Sequence, residues 1–196
     1  MKANVGMLYV VAAEVATYTP YSGITYSAGF VVGEGREANI TWENATGEFE
    51  GDDIILDNYE EIVGYNMALE TAGLSSAVRS KMLGETKDSS DVYHVTGDAK
   101  PWLGTGFVRK MRDNTSGDPE TVYEGVWYYH HRFSQPDEQT RTRNRTGIEW
   151  RVPVLNGRGT GVFLTANAET PEFEIHKDFE TLAAAKAWLN TQAGIT

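Results

Sequence analysis

No cysteine occurs anywhere in the 196-residue chain, which excludes a disulfide framework and a thiolate-held metal. Basic side chains are scarce: 17 Lys and Arg stand against 28 Asp and Glu, for a formal net charge of -11. Affinity for nucleic acid comes chiefly from Lys and Arg displacing counterions from phosphates, so this balance argues against a conventional phosphate-binding surface. Long apolar runs are missing too. No stretch approaches the roughly 20 residues that a membrane-spanning helix needs. The stretch from Val5 to Ala13 is interrupted by Gly6 and Tyr9 and followed directly by Glu14. It reads as a first, buried strand and lacks the uninterrupted run and cleavage site of a secretory signal. There is no internal repeat, Pro/Ser linker or low-complexity tract, so residues 1–196 are expected to form a single domain.

What is present is strand pattern. From Gly106 to Val154 the chain reads as three long β-strands joined by polar turns. In Val122–Phe133 the odd positions are Tyr123, Gly125, Trp127, Tyr129, His131 and Phe133, a mostly aromatic face. The even positions are Val122, Glu124, Val126, Tyr128, His130 and Arg132, a mixed face suited to water or another subunit. Side chains alternate across a strand, so one face is expected in a core and the other against something else. Ile148, Trp150, Val152 and Val154 alternate in the same way.

Further strands are expected over Val5–Ala13, Ala28–Val32, Arg36–Trp42 and Glu61–Glu70, with Thr17–Ser27 a loop or exposed ribbon. Two helices are predicted. The first spans Ser76–Leu83, with Ser75 as N-cap, Gly84 as stop, and Leu74, Val78 and Met82 at helical spacing. The second runs from about Phe179 to Asn190, capped by Asp178, with Phe179, Leu182, Ala185 and Leu189 as its buried stripe. The fold class is therefore mainly β with two helices, near 76–83 and near 179–190.

Catalytic chemistry finds little support. His130 and His131 are adjacent, point to opposite faces of a strand, and are expected as interface or surface residues. His94 and His176 have no HExxH-like spacing. Glu50, Asp52, Asp53 and Asp57 crowd together, but the segment lacks the calcium-loop pattern with its central Gly and terminal Glu. An acidic chain always offers carboxylate pairs, and none stands out as a glycosidase pair. Gly104-Thr105-Gly106 and Gly157-Arg158-Gly159 read as turn glycines. Trp127, Tyr128 and Tyr129 have the chemistry to stack on sugars or bases, although packing in cores and interfaces is the commoner fate of such residues. No catalytic, metal or cofactor residue is assigned, and the chain is expected not to be an enzyme.

Charge is unevenly placed. Between Glu34 and Glu61 there are ten acids and a single base, Arg36; around Arg141, Arg143 and Arg145 the sign reverses. Two solvated loops would account for this. So would a head-to-tail contact between the acidic stretch of one subunit and the basic ribbon of the next, which generates rings or filaments.

In their order along the chain, EFEGDDIILDNYEEIVGYNMALETAGLSSAVRSKMLG, GTGFVRKMR, YEGVWYYHHRFSQPDEQTRTRNRTGIEWRVPVLNG and HKDFETLAAAKAWLN resemble the major tail (tail-tube) proteins of long-tailed bacteriophages. The resemblance covers most of the chain. It implies a β-sandwich or barrel-like domain whose subunits form hexameric rings stacked into a hollow tube for genome passage. It places a long inter-ring loop at about 44–61. The inter-subunit candidates are then Phe49, Glu50, Asp52, Asp53, Ile54, Ile55 and Asp57, with Arg141, Arg143 and Arg145 from the basic ribbon. It further implies virion localisation after synthesis in the host cytoplasm. The implied partners are further copies of the chain, a tape-measure protein and tail-tip or baseplate proteins, with DNA present only in transit and no membrane or cofactor. The alternative function is a β-sandwich binding module for capsid decoration or carbohydrate.

Overall fold

The apolar run at the N-terminus forms the strand around which the rest is built. The structure, a computed structural model, describes residues 2–51, 54–71, 73–96, 99–113, 120–134 and 154–196. Strand β1 (Lys2–Thr19) carries Val10 and Ala12 into one apolar cluster and Val11 and Ala13 into another, all four fully buried. A strand buried on both faces needs a continuous apolar run, which explains why alternation is absent there.

Strands β2 (Gly23–Tyr26), β3 (Phe30–Gly33), β4 (Gly35–Gly51) and β5 (Ile54–Thr71) follow, then helix α1 (Ser76–Leu83). A small separate hairpin, β6 (Thr86–Lys87) and β7 (Tyr93–His94), precedes β8 (Leu103–Asp113) and β9 (Glu120–Phe133). The chain ends with β10 (Val154–Gly159), β11 (Glu174–Phe179) and helix α2 (Leu182–Ala193). Hydrogen bonding orders the main sheet β2-β1-β8-β9-β10-β5-β4, with β3 also on β1 and β11 also on β9, every pair antiparallel. The protein is thus mainly β with two helices, as its patterns predict. The sheet curls so that Met7, Val10 and Ala12 of β1 share a cluster with Tyr65, Met67 and Leu69 of β5, yet among the described residues it does not close into a barrel.

Strand β9 departs from the expected alternation in an informative way. Against β8 its register runs Thr105↔Tyr128 and then shifts before Leu103↔His131, so one extra residue is inserted in β9. A bulge of this kind reverses which face later residues occupy. Trp127 and Tyr129 lie in the cluster beneath α2, whereas Val126, Tyr128 and Phe133 lie in the cluster inside the curl. The even face is therefore core as well, which corrects the expectation that it meets water or another subunit. His130 and His131 are buried rather than superficial.

Two glycine pairs are likewise strand residues rather than turn residues. Gly104 and Gly106 lie in β8, and Gly157 and Gly159 in β10. A Cβ on Gly106 would come within 2.7 Å of the Trp127 ring, and one on Gly157 within 2.8 Å of the Phe133 ring. Gly in a strand marks such close approaches of a neighbour to the backbone.

Helix α1 has the predicted ends: the Ser75 hydroxyl accepts from the Val78 amide at 3.3 Å, and Gly84 takes the left-handed conformation at φ 69°. Helix α2 starts later than its pattern predicts. Asp178 and Phe179 pair with Glu124 and Tyr123 on β9, and Thr181 is the N-cap, its hydroxyl accepting from the Ala184 amide at 3.2 Å. A sheet edge claimed those two residues before the helix could. Ala185, Leu189 and Ala193 are buried, with Leu182 and Trp188 packed beside them. Thr181→Ala is expected to cost about 1 kcal/mol, lowering Tm by roughly 2–4 °C in a chain of this size; calorimetry checks it.

Candidate assembly interface: the β4–β5 arm

The segment at 44–61, expected as a loop, is an antiparallel hairpin. Strands β4 and β5 remain paired from Gly35↔Thr71 out to Gly51↔Ile54, with register shifts at Gly35/Glu37, Glu43/Asn44 and Phe49/Glu50. Dense acidity misleads here, because it reports contact with water and says nothing against strand pairing when both faces of a ribbon are wet.

The hairpin has a supported base and an unsupported end. Strand β10 accompanies β5 only from Tyr65 to Glu70. Beyond Tyr65, β4 and β5 pair only with each other among the described residues. At a strand rise of about 3.3 Å per residue, the ribbon from Gly64 to Ile54 extends roughly 30 Å. Isolated two-stranded hairpins are marginally stable in water, so an arm of this length gains from a partner surface.

The base is clamped on both faces. On one, Trp42 packs edge-on against Tyr65 and Phe173, each at 5.7 Å between ring centroids. On the other, the Glu43 carboxylate accepts from Arg158 Nη2 at 2.8 Å and from Asn66 Nδ2 at 2.8 Å. The Arg158 bond, then the Asn66 bond, holds the Glu43 carboxyl below the usual range. Arg158 is a β10 residue, so this contact ties the root of the arm to the neighbouring strand. Further out, Asn44 bonds the Glu60 carboxylate across the ribbon. Ile62 and Val63 are 40% and 48% exposed. These two apolar side chains, set among Glu43, Glu60 and Glu61, give the arm an apolar contact point with an acidic surround.

Of the ten contact candidates, Phe49, Glu50, Ile54, Ile55 and Asp57 fall on the distal ribbon, in the register Phe49↔Asp57, Glu50↔Ile55 and Gly51↔Ile54. Asp52, Asp53, Arg141, Arg143 and Arg145 lie outside the described residues, as does all but the end of the strand expected over Ile148–Val154. The arm's base was not legible in the sequence. Trp42, Glu43, Asn66 and Arg158 meet only once β10 is placed beside β5; the continuing alternation through Ala38, Ile40 and Trp42 is the one local hint.

No protein-family model matches this chain, and no curated protein matches it.

Two other places suited to chemistry are already occupied. Trp127, Tyr128 and Tyr129 are buried, which removes them as a stacking platform for sugars or bases. The cleft between β1, β4 and β8 holds Arg36 and Arg109, but these lie 3.7 Å from Glu70 and 2.9 Å from Glu124 respectively. Among the described residues no group of three or more His, Asp or Glu side chains is arranged to hold a metal ion. Nor is any described helix long and apolar enough to cross a membrane.

Proposed function

We propose that the chain is a tail-tube subunit of a long-tailed bacteriophage. It assembles as hexameric rings stacked into a hollow tube, around a tape-measure protein and upon a tail-tip initiator, within the virion. The observation that carries this reading is the β4–β5 arm, rooted at Trp42 and Glu43 and, among the described residues, unaccompanied beyond Tyr65. Two unlike sheet edges add support. One is the outer side of β4, and the other is formed by β2 and β3 on β1. Unlike edges cannot pair by a two-fold operation; they join head to tail, which closes into rings when the rotation permits.

Net negative charge suits a conduit for DNA. Acidic walls repel phosphates, whereas a basic lining would retain the nucleic acid through counterion release. The subunit catalyses nothing in this reading; its work is assembly energetics. The burial of the aromatic triplet in β9 weighs against the alternative of a carbohydrate-binding module that uses those rings.

Negative-stain microscopy of concentrated protein is the test. Uniform hollow cylinders are expected, forming with time or on seeding. A particle that stays small at every concentration and binds a glycan or a capsid shell saturably would replace this reading with the binding-module one.

A further inference from the structure

The main sheet has a narrow seam. Among the described residues, β10, β5 and β4 are hydrogen-bonded to the rest of the sheet through β9, and β9 meets β10 over Gly157↔Phe133, Arg158↔Arg132 and Gly159↔His131. Backbone bonds from Ser134 to Asn156 (2.7 Å) and from Thr160 to His130 (3.0 Å) extend it by one step at each end. The bulge in β9 places both adjacent histidines on this seam.

Each imidazole reaches across it. His131 is fully buried; its Nδ1 lies 3.4 Å from the Tyr65 hydroxyl on β5, and its Nε2 has no hydrogen-bond partner among the described residues. Tyr65 and Phe133 supply the rings around it. His130 Nδ1 lies 3.0 Å from the Thr160 hydroxyl just past β10, and its ring stacks on Trp102 at 4.0 Å. Among the described residues, the titratable and charged groups facing the pair are Tyr18 on β1, Tyr65 on β5 and Arg132 on β9. Arg158 lies opposite Arg132 in the β9–β10 register, and its guanidinium is engaged with Glu43. Among the described residues no carboxylate lies within ion-pair distance of either histidine, and the charge that acts on His130 is the like-signed Arg132.

We infer that His130 and His131 form an acid-sensitive latch: a proton on either imidazole leaves an unpaired charge in the seam and detaches β10, β5 and the arm from β9 while the α2-backed part of the sheet stays folded. Unpaired buried charge is among the costliest things a core can hold. Burial pushes His131 down to about 3, with the neighbouring imidazole adding to the effect, and pushes His130 down to about 4, with Arg132 adding. Both histidines are therefore neutral in the fold at pH values where the unfolded chain, titrating near 6.5, already binds protons. Stability from these two groups is complete above about pH 6.5 and is lost as pH falls from there toward the folded values.

Hydrogen exchange read by mass spectrometry at pH 7 and pH 4.5, corrected for intrinsic rates, tests the latch. Protection over residues 65–71 and 154–159 is expected to fall by more than about tenfold, while 182–193 changes far less. His130→Gln and His131→Phe should each flatten that difference. Uniform loss across the sheet, or an unchanged difference in both variants, overturns the latch. Should His131→Phe fail to fold, His130→Gln and the wild-type imidazole resonances decide: titration of both rings near 6.5 without local loss of protection overturns it. None of this requires rings or tubes to form, so it stands or falls separately from the assembly reading.

Discussion

Replacing residues 44 to 63 with an Asn-Gly turn is expected to leave a folded protein that no longer elongates. Glu43 and Gly64 are directly paired across the hairpin, and Asn-Gly is the turn chemistry that two-residue connections favour. The rooting contacts survive: Trp42 keeps Tyr65 and Phe173, and Glu43 keeps Arg158 and Asn66. The described side chains of the removed segment, at 44–46 and 60–63, include none of the buried core residues, so thermal stability should move by no more than about 1 kcal/mol. On the assembly proposed above the change should be complete, from cylinders to particles no longer than a single ring. The pairing Ile62→Lys with Val63→Lys asks the same question without shortening the chain, since it places cations where the arm is apolar. Cylinders of ordinary length from the shortened protein would remove the arm from any role in stacking.

Trp127→Ala is the second large effect, and it concerns folding. Trp127 is fully buried, and its ring abuts the bare backbone at Gly104 and Gly106. It meets Tyr26 edge-on at 5.3 Å and donates from Nε1 to the Tyr26 hydroxyl at 3.3 Å. That hydroxyl in turn donates to the Tyr129 carbonyl at 2.8 Å. Truncation opens a cavity that two glycines cannot fill, at a cost of about 3–5 kcal/mol. Domains are stable by only about 5–15 kcal/mol in total. The urea midpoint should therefore fall by at least about 1 M with an m-value of the ordinary 1–3 kcal/mol/M. Val95→Ala, at a site 58% exposed, should change stability by less than about 0.5 kcal/mol and serves as the control. Equal effects from the two substitutions would show that Trp127 is not the anchor its burial implies.

Local signals that act alone were the legible ones. The Ser75 cap and Gly84 stop define α1 because capping depends on a few adjacent residues. The apolar run before Glu14 announces a strand covered on both sides. Signals that depend on a partner were misread or invisible. Alternation through β9 predicts one aromatic face, but the bulge before His131 shares its side chains between two cores, and nothing in the residues themselves marks that extra position. Acidity between Asn44 and Glu61 suggests a loop, whereas pairing with a remote stretch of chain makes it a ribbon. Asp178 and Phe179 carry adequate helix signals and are taken by a sheet edge instead. As for the candidate site, its distal candidates rest on the resemblance alone, and its base at Trp42, Glu43, Asn66 and Arg158 needed the strand order.

Strand β9 has no watered side between Gly125 and His131. Every substitution there must satisfy two sets of packing neighbours at once, while Asn44, Thr46 and Glu60 to Val63 on the ribbon are exposed. Kindred sequences should therefore drift fastest along the ribbon and slowest across these seven positions. That middle stretch of β9 is the place to look first for a distant cousin whose overall similarity has worn away.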